Sequence, residues 1–149
     1  MGRHNIMVRT FREMDLIAVM QIWLRTNLKA HDFIPSKYWT DHYDLVKDML
    51  PQAEIYVHED DVTKQIDGFI GLNDDYIEGI FVEETAQSKG IGKQLLDFAK
   101  SMKFGMSLRV YQKNTRAISF YQRERFFIQS EDMDISTNEK EFMMTWRKK

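Results

Sequence analysis

The spacing of apolar positions changes period along the chain and lays out its elements in order. Ile6–Phe11 (IMVRTF) alternates and is β-branched, which predicts a short first strand. Asp15 to Lys29 carries Leu16, Val19, Met20, Trp23 and Leu28 near helical spacing. The stretch Ala30–Trp39 breaks that pattern, Pro35-Ser36 restarts the chain, and a second helix is expected from Tyr38 to Leu50, closed by Pro51. Ile55–His58, Ile66–Leu72 and Tyr76–Val82 then read as strands separated by the polar turns Glu59-Asp60-Asp61 and Asn73-Asp74-Asp75, an antiparallel meander. A helix follows with Leu95, Leu96, Ala99 and Met102 as its apolar face. Met106–Tyr111 predicts a strand, Asn114–Arg125 a helix, and Phe127–Ile135 with Glu141–Trp146 a closing pair of strands.

This order, β-α-α-β-β-β-α-β-α-β-β, belongs to the α+β class. Connections through the two later helices make part of the sheet parallel, so the expectation is an α/β/α-layered domain: a mixed, mostly antiparallel sheet of about seven strands flanked by about four helices. The pattern holds no internal repeat and no linker-like stretch, which predicts a single domain over residues 1–149.

Composition narrows the chemistry. With 43% apolar residues the chain has enough to fill a sizeable core. A net charge of −2 provides no basic footprint for nucleic acid or an anionic membrane. There is no cysteine, which excludes disulfides, thiolate metal sites and an acyl-cysteine intermediate. His4, His31, His42 and His58 lack the spacing of a metal site, so no metal is expected. The beginning of the chain lacks a signal-peptide core, and Leu16–Met20 is far too short to span a bilayer, so a cytoplasmic protein is the expectation.

The stretch that carries chemistry is the turn between Tyr76–Val82 and the following helix. Gly90 and Gly92 let the backbone turn tightly and let a bulky anion approach, and the first helical turn offers unpaired N–H groups to a phosphate. A nucleotide loop G-x-x-x-x-G-K-[ST] does not fit, because Gln87 stands at its first Gly and Gln94 at its Ser/Thr. A dinucleotide fingerprint fails at Leu95, where its last Gly belongs. What remains is Q-x-x-G-x-G, from Gln87 to Gly92.

That loop resembles the pyrophosphate-binding loop of the GNAT superfamily of N-acetyltransferases. The likeness extends over essentially the whole chain. Its most specific part is the succession I-E-G-I-F-V, Q-S-K-G-I-G-K and L-R-V-Y-x-x-N-x-x-A-x-x-F-Y between Tyr76 and Phe127. The first half, with W-L-R-T-N-x-x-A-H-D-F-I, is similar to bacterial acetyltransferases acting on protein or small-molecule amines.

The resemblance implies acetyl-CoA as cosubstrate and a primary amine as acceptor. Its pantetheine arm would pair with the backbone of Ile80 and Val82, with N–H groups near Ile80 and Phe81 polarising the thioester carbonyl. The diphosphate would rest on Gln87, Ser88, Lys89, Gly90, Ile91, Gly92 and Lys93; the two lysines read equally well as solvated helix-start residues. Asn114 would contact the cofactor, and is also a good N-cap. Tyr121 matches the family's general acid for the departing thiolate, although Ala117, Ile118 and Tyr121 also form one apolar helix face. Glu78 is the candidate general base for an amine that must lose a proton before attack; it reads alternatively as a strand glutamate in an ion pair. His31, Asp32, Phe33, Trp39 and Tyr111 are expected to line the acceptor wall, with Tyr38 adding to its aromatic part.

One position departs from the family pattern. Arg125 stands where a Gly usually ends the helix in a left-handed conformation, so either the turn is rebuilt or Arg125 is strained. Rival readings are a non-catalytic acyl-CoA-binding domain and an acetyltransferase acting on aminoacyl-tRNA. Both a monomer and a homodimer fit the sequence.

Overall fold

A computed structural model describes residues 7–149. Its strands are β1 (Val8–Thr10), β2 (Glu54–Glu59), β3 (Ile66–Asn73), β4 (Tyr76–Val82), β5 (Gly105–Tyr111), β6 (Phe127–Asp134) and β7 (Glu139–Arg147). Its helices are α1 (Leu16–Ala30), α2 (Ser36–Met49), α3 (Ile91–Lys100) and α4 (Thr115–Arg123). The sheet runs β1-β2-β3-β4-β5-β7-β6. Every pairing is antiparallel except β4 with β5. The predicted α+β order therefore holds, with boundaries shifted by a residue or two; Ile6 of the predicted first strand lies outside the described residues.

Side-chain alternation sorts the core onto the two faces of the sheet. Ile70, Leu72, Ile77, Leu108 and Met144 pack with Leu95, Leu96 and Ala99 of α3 and with Tyr121 and Phe126 at the end of α4. Phe69, Val57 and Ile55 pack on the other face with Val19, Met20, Ile22 and Trp23 of α1 and Trp39 of α2. Strand β3 is buried from Gly68 to Leu72 because helices cover both of its faces, which explains its unbroken apolar run. Met102, expected on the buried face of α3, is 42% exposed and lies beyond the last helical residue, Lys100. Among the described residues, no helix is long and apolar enough to cross a membrane.

The feature that positions the site is a split in the sheet. Strands β4 and β5 pair only at Tyr76–Ser107 and Ile77–Leu108. A register shift between Gly71 and Leu72 of β3 then leaves Glu78 opposite no residue, and β4 bends away from β5. Gly79 leaves room for the Phe81 ring: a Cβ there would sit 2.4 Å from that ring, which stacks on Phe69 across the strand pair. Because both strands run in the same direction, α3 and α4 begin beside the same opening.

Candidate active site

The open edge of β4 carries two residues. The Glu83 N–H donates to the Asp67 carbonyl at 2.9 Å, and antiparallel alternation then turns the backbone groups of Phe81 and Gly79 toward β3 as well. Those of Ile80 and Val82 face the split. The Ile80 backbone and the Val82 N–H thus lie on the open edge, whereas the expectation for Phe81 is corrected: its N–H is directed into the β3 ladder and its ring into the core beneath α1. Ile80 and Val82 turn their side chains toward the cluster that contains Tyr121.

Gln87 has a role in this edge that the motif alone did not assign. Its side-chain Nε2 donates to the Val82 carbonyl at 3.0 Å, tying the loop to the end of the strand. Ser88 (φ 69) and Gly90 (φ 81) both take left-handed backbone conformations, and the first helical bond runs from the Gln94 N–H to the Gly90 carbonyl at 3.0 Å. The amides of Ile91, Gly92 and Lys93 consequently have no helical partner. A Cβ at Gly90 would meet nothing within 4 Å, so the space over the loop is open. The Ile91 side chain is buried, leaving only its backbone for a ligand. Lys89 is exposed. Lys93 is engaged elsewhere, 3.0 Å from Glu124 and 3.5 Å from Asp97, so it bridges α3 to the end of α4.

Helix α4 supplies Asn114 and Tyr121. Asn114 caps the helix: its Oδ1 accepts the Ala117 N–H at 3.3 Å. Its Nδ2 lies 3.2 Å from His31 Nε2. Tyr121 is 7% exposed, with its ring edge-on to Phe120 and Phe126. Burial, with a smaller contribution from the Tyr76 phenol, raises its pKa well above 10, so it holds its proton at neutral pH.

On the opposite face, His31, Phe33, Trp39 and Tyr111 come together as the sequence predicted. His31 stacks on Trp39 at 5.4 Å and meets Tyr111 and Phe33 edge-on at 5.0 and 5.7 Å. Tyr38 packs on Trp39, and its hydroxyl reaches Ser136 Oγ at 3.1 Å, bringing the β6–β7 turn over this wall. The Tyr111 hydroxyl donates to Asp134 at 2.6 Å. Asp32 is exposed and outside the aromatic cluster. Both His31 nitrogens are bonded within the protein, which leaves only the ring for an acceptor. Burial holds its pKa down at about 4, so the ring is neutral.

Glu78 departs from its expected setting. It is exposed rather than partly buried, because the bulge lifts it out of the ladder. Its Cβ approaches the Gly71 position on the α1 side of the sheet. Asn27 was missed altogether. It is 4% exposed and bonds both the Trp23 carbonyl and His31, and the signal was an asparagine on the apolar face of α1, one turn before a histidine. Among the described residues, no group of three or more metal-ligating side chains occurs.

An anion-ready loop, an open strand edge and a buried phenol on one side of a split sheet define an acyl-group transferase of the acetyl-CoA type. Residues 51–126 match the acetyltransferase (GNAT) domain, and the chain belongs to this family. The peptidyl-lysine N-acetyltransferase YiaC of Escherichia coli is 32% identical over 142 residues, which span 94% of this chain and 93% of that protein. The solution structure of apo YjaB from Escherichia coli shares the fold, with a TM-score of 0.84 at 24% identity over 95% of this chain and 97% of that one. A protein of Bacillus anthracis str. Ames, solved in complex with acetyl coenzyme A, matches with a TM-score of 0.59 at 26% identity over 65% of this chain and 63% of that one. The protein is an acetyltransferase, and its reaction is acetyl transfer to an amine.

Proposed function

We propose that the protein transfers the acetyl group of acetyl-CoA to the side-chain amine of lysine in a protein or peptide. The observation that carries this reading is the split between β4 and β5, with the backbone of Ile80 and the Val82 N–H unclaimed beside a loop of unpartnered amides. An extended pantetheine arm pairs with such an edge as an added strand would, and a diphosphate suits the amides of Ile91, Gly92 and Lys93. Acetyl coenzyme A in the Bacillus anthracis relative supports the cosubstrate, and the naming of YiaC as a peptidyl-lysine N-acetyltransferase supports the acceptor. Residues 1–149 act as one catalytic domain in this reading, since both core layers share one sheet.

The amine nitrogen attacks the thioester carbonyl carbon directly, forming the N–C bond and a tetrahedral intermediate. The Ile80 N–H on the open edge stabilises the oxyanion. As the C–S bond breaks, its electron pair goes to sulfur and Tyr121 donates its proton there; solvent restores the phenol. Glu78, exposed on the acceptor face, takes the amine proton through water. Lys89 supplies charge near the diphosphate, and the rings of Phe33, Trp39 and Tyr111 form the wall along which the acceptor chain lies.

The test is mass spectrometry of two peptides of one sequence incubated with acetyl-CoA, one blocked at its α-amine and one at its lysine. Acetylation of the first alone supports the reading; acetylation of the second alone assigns the enzyme to N-termini instead.

A further inference from the structure

The hydrogen bonds around His31 form a closed count. Asn27 Nδ2 donates to the Trp23 carbonyl at 2.9 Å, so its Oδ1 is left to accept, and His31 Nδ1 donates to it at 3.1 Å. At the other end, the Ala117 N–H occupies Asn114 Oδ1 at 3.3 Å, so the Asn114 group facing His31 at 3.2 Å is the Nδ2 donor. His31 Nε2 must therefore accept. A neutral imidazole has one donor and one acceptor, and both are used with none left over. The two backbone partners, Trp23 O and Ala117 N–H, distinguish the oxygen from the nitrogen of each amide and hence settle the tautomer.

The ring itself is held by Trp39, Tyr111 and Phe33. The chain of bonds thus runs from the last turn of α1, on the acceptor side, to the first turn of α4, beside the split. A cap needs only Asn114 Oδ1; it does not need His31. What His31 adds is control of the Nδ2 group: with one hydrogen on His31, the other is fixed in the amide plane and remains unspent.

We propose that His31 is a positioning residue that orients the Asn114 amide so that its second Nδ2 hydrogen serves the bound coenzyme A. The proposal rests on the reading of Asn114 as a cofactor contact.

Four variants test it, with the dissociation constant of CoA measured by calorimetry and KM for acetyl-CoA measured beside kcat. His31→Phe keeps an aromatic ring in the stack and removes both nitrogens. It is expected to weaken CoA binding and raise KM for acetyl-CoA about tenfold, the scale of one hydrogen bond, with a smaller effect on kcat. His31→Gln, which again offers one donor and one acceptor, recovers most of the loss. Asn114→Ser keeps the cap without the amide donor and matches His31→Phe. The double variant His31→Phe with Asn114→Ser binds no more weakly than Asn114→Ser alone, because both remove the same contact. A lowered Tm with unchanged CoA affinity in His31→Phe, while Asn114→Ser is weakened, overturns the positioning role alone. Multiplying losses in the double variant overturn it as well. Wild-type CoA affinity in Asn114→Ser removes the Asn114 contact and the proposal together.

Discussion

The Phe126 N–H donates to the Tyr121 carbonyl at 2.9 Å, across a turn whose left-handed residue is Arg125, φ 72. The Arg125 N–H completes the closure on the Gln122 carbonyl at 3.1 Å. These are the two bonds of a Schellman ending. The turn that the family makes with glycine is kept, and the arginine adopts its strained conformation. The hydroxyl-bearing residue and the buried Phe126 that packs against it are locked by the same turn.

Arg125→Gly therefore removes a left-handed penalty at the cost of a more flexible unfolded chain. The expected net gain is roughly 0.5–1 kcal/mol, read as a rise in Tm by thermal unfolding. A fall in Tm shows that the arginine side chain contributes more than its backbone costs.

Tyr121→Phe keeps the ring among Phe120 and Phe126 and deletes only the proton donor. The expected result is a loss of about a hundredfold in kcat, with Tm and acetyl-CoA affinity near wild type. Wild-type kcat, or lost binding with normal kcat, contradicts the general-acid role.

Gly90→Ala acts twice. A left-handed alanine costs about 1 kcal/mol of stability, and its Cβ enters the open space above the loop. CoA affinity is expected to fall by more than the small drop in Tm explains, as calorimetry would record. Unchanged affinity shows that nothing binds against that backbone.

His58 gives the stability a pH dependence away from the site. It is 5% exposed, 2.7 Å from Asp67 through Nδ1 and 3.1 Å from Gln94 Oε1 through Nε2. Burial alone would lower its pKa, but the Asp67 carboxylate, with Gln94 and Asp60 adding to it, raises it above the ordinary 6.5. A raised folded-state pKa contributes stability that is complete below about 6.5 and is lost as pH rises through the folded value. Tm should therefore decline over that interval, and His58→Gln should flatten the decline. An equal slope in the variant assigns the effect to other groups.

The strand-helix order was legible because its segments change period cleanly, and Tyr76–Val82 falls where the alternation put it. Apolar alternation did not reveal the bulge at Glu78. One extra residue in a strand reverses which face a side chain takes, and only pairing with Gly71 and Leu72 defines it. Phe81 was misassigned for the same kind of reason: which backbone groups face outward depends on the β3 register. Asn114 was read as both cap and cofactor contact; its Oδ1 makes the cap, while His31 as partner of its Nδ2 joins residues 83 positions apart. Lys93 read equally well as a phosphate ligand and as a solvated helix-start residue, and its long-range pair with Glu124 was not legible from its place in the loop.

Amide hydrogen exchange with and without CoA tests most directly whether the open edge of β4 and the loop after it hold the cosubstrate. Slowed exchange is expected at Ile80, Val82 and the unpartnered amides of Ile91, Gly92 and Lys93, with little change at Phe81, whose N–H is directed into the β3 ladder. Saturating CoA with no new protection at Ile80 and Val82, or protection confined to another face of the sheet, would contradict it.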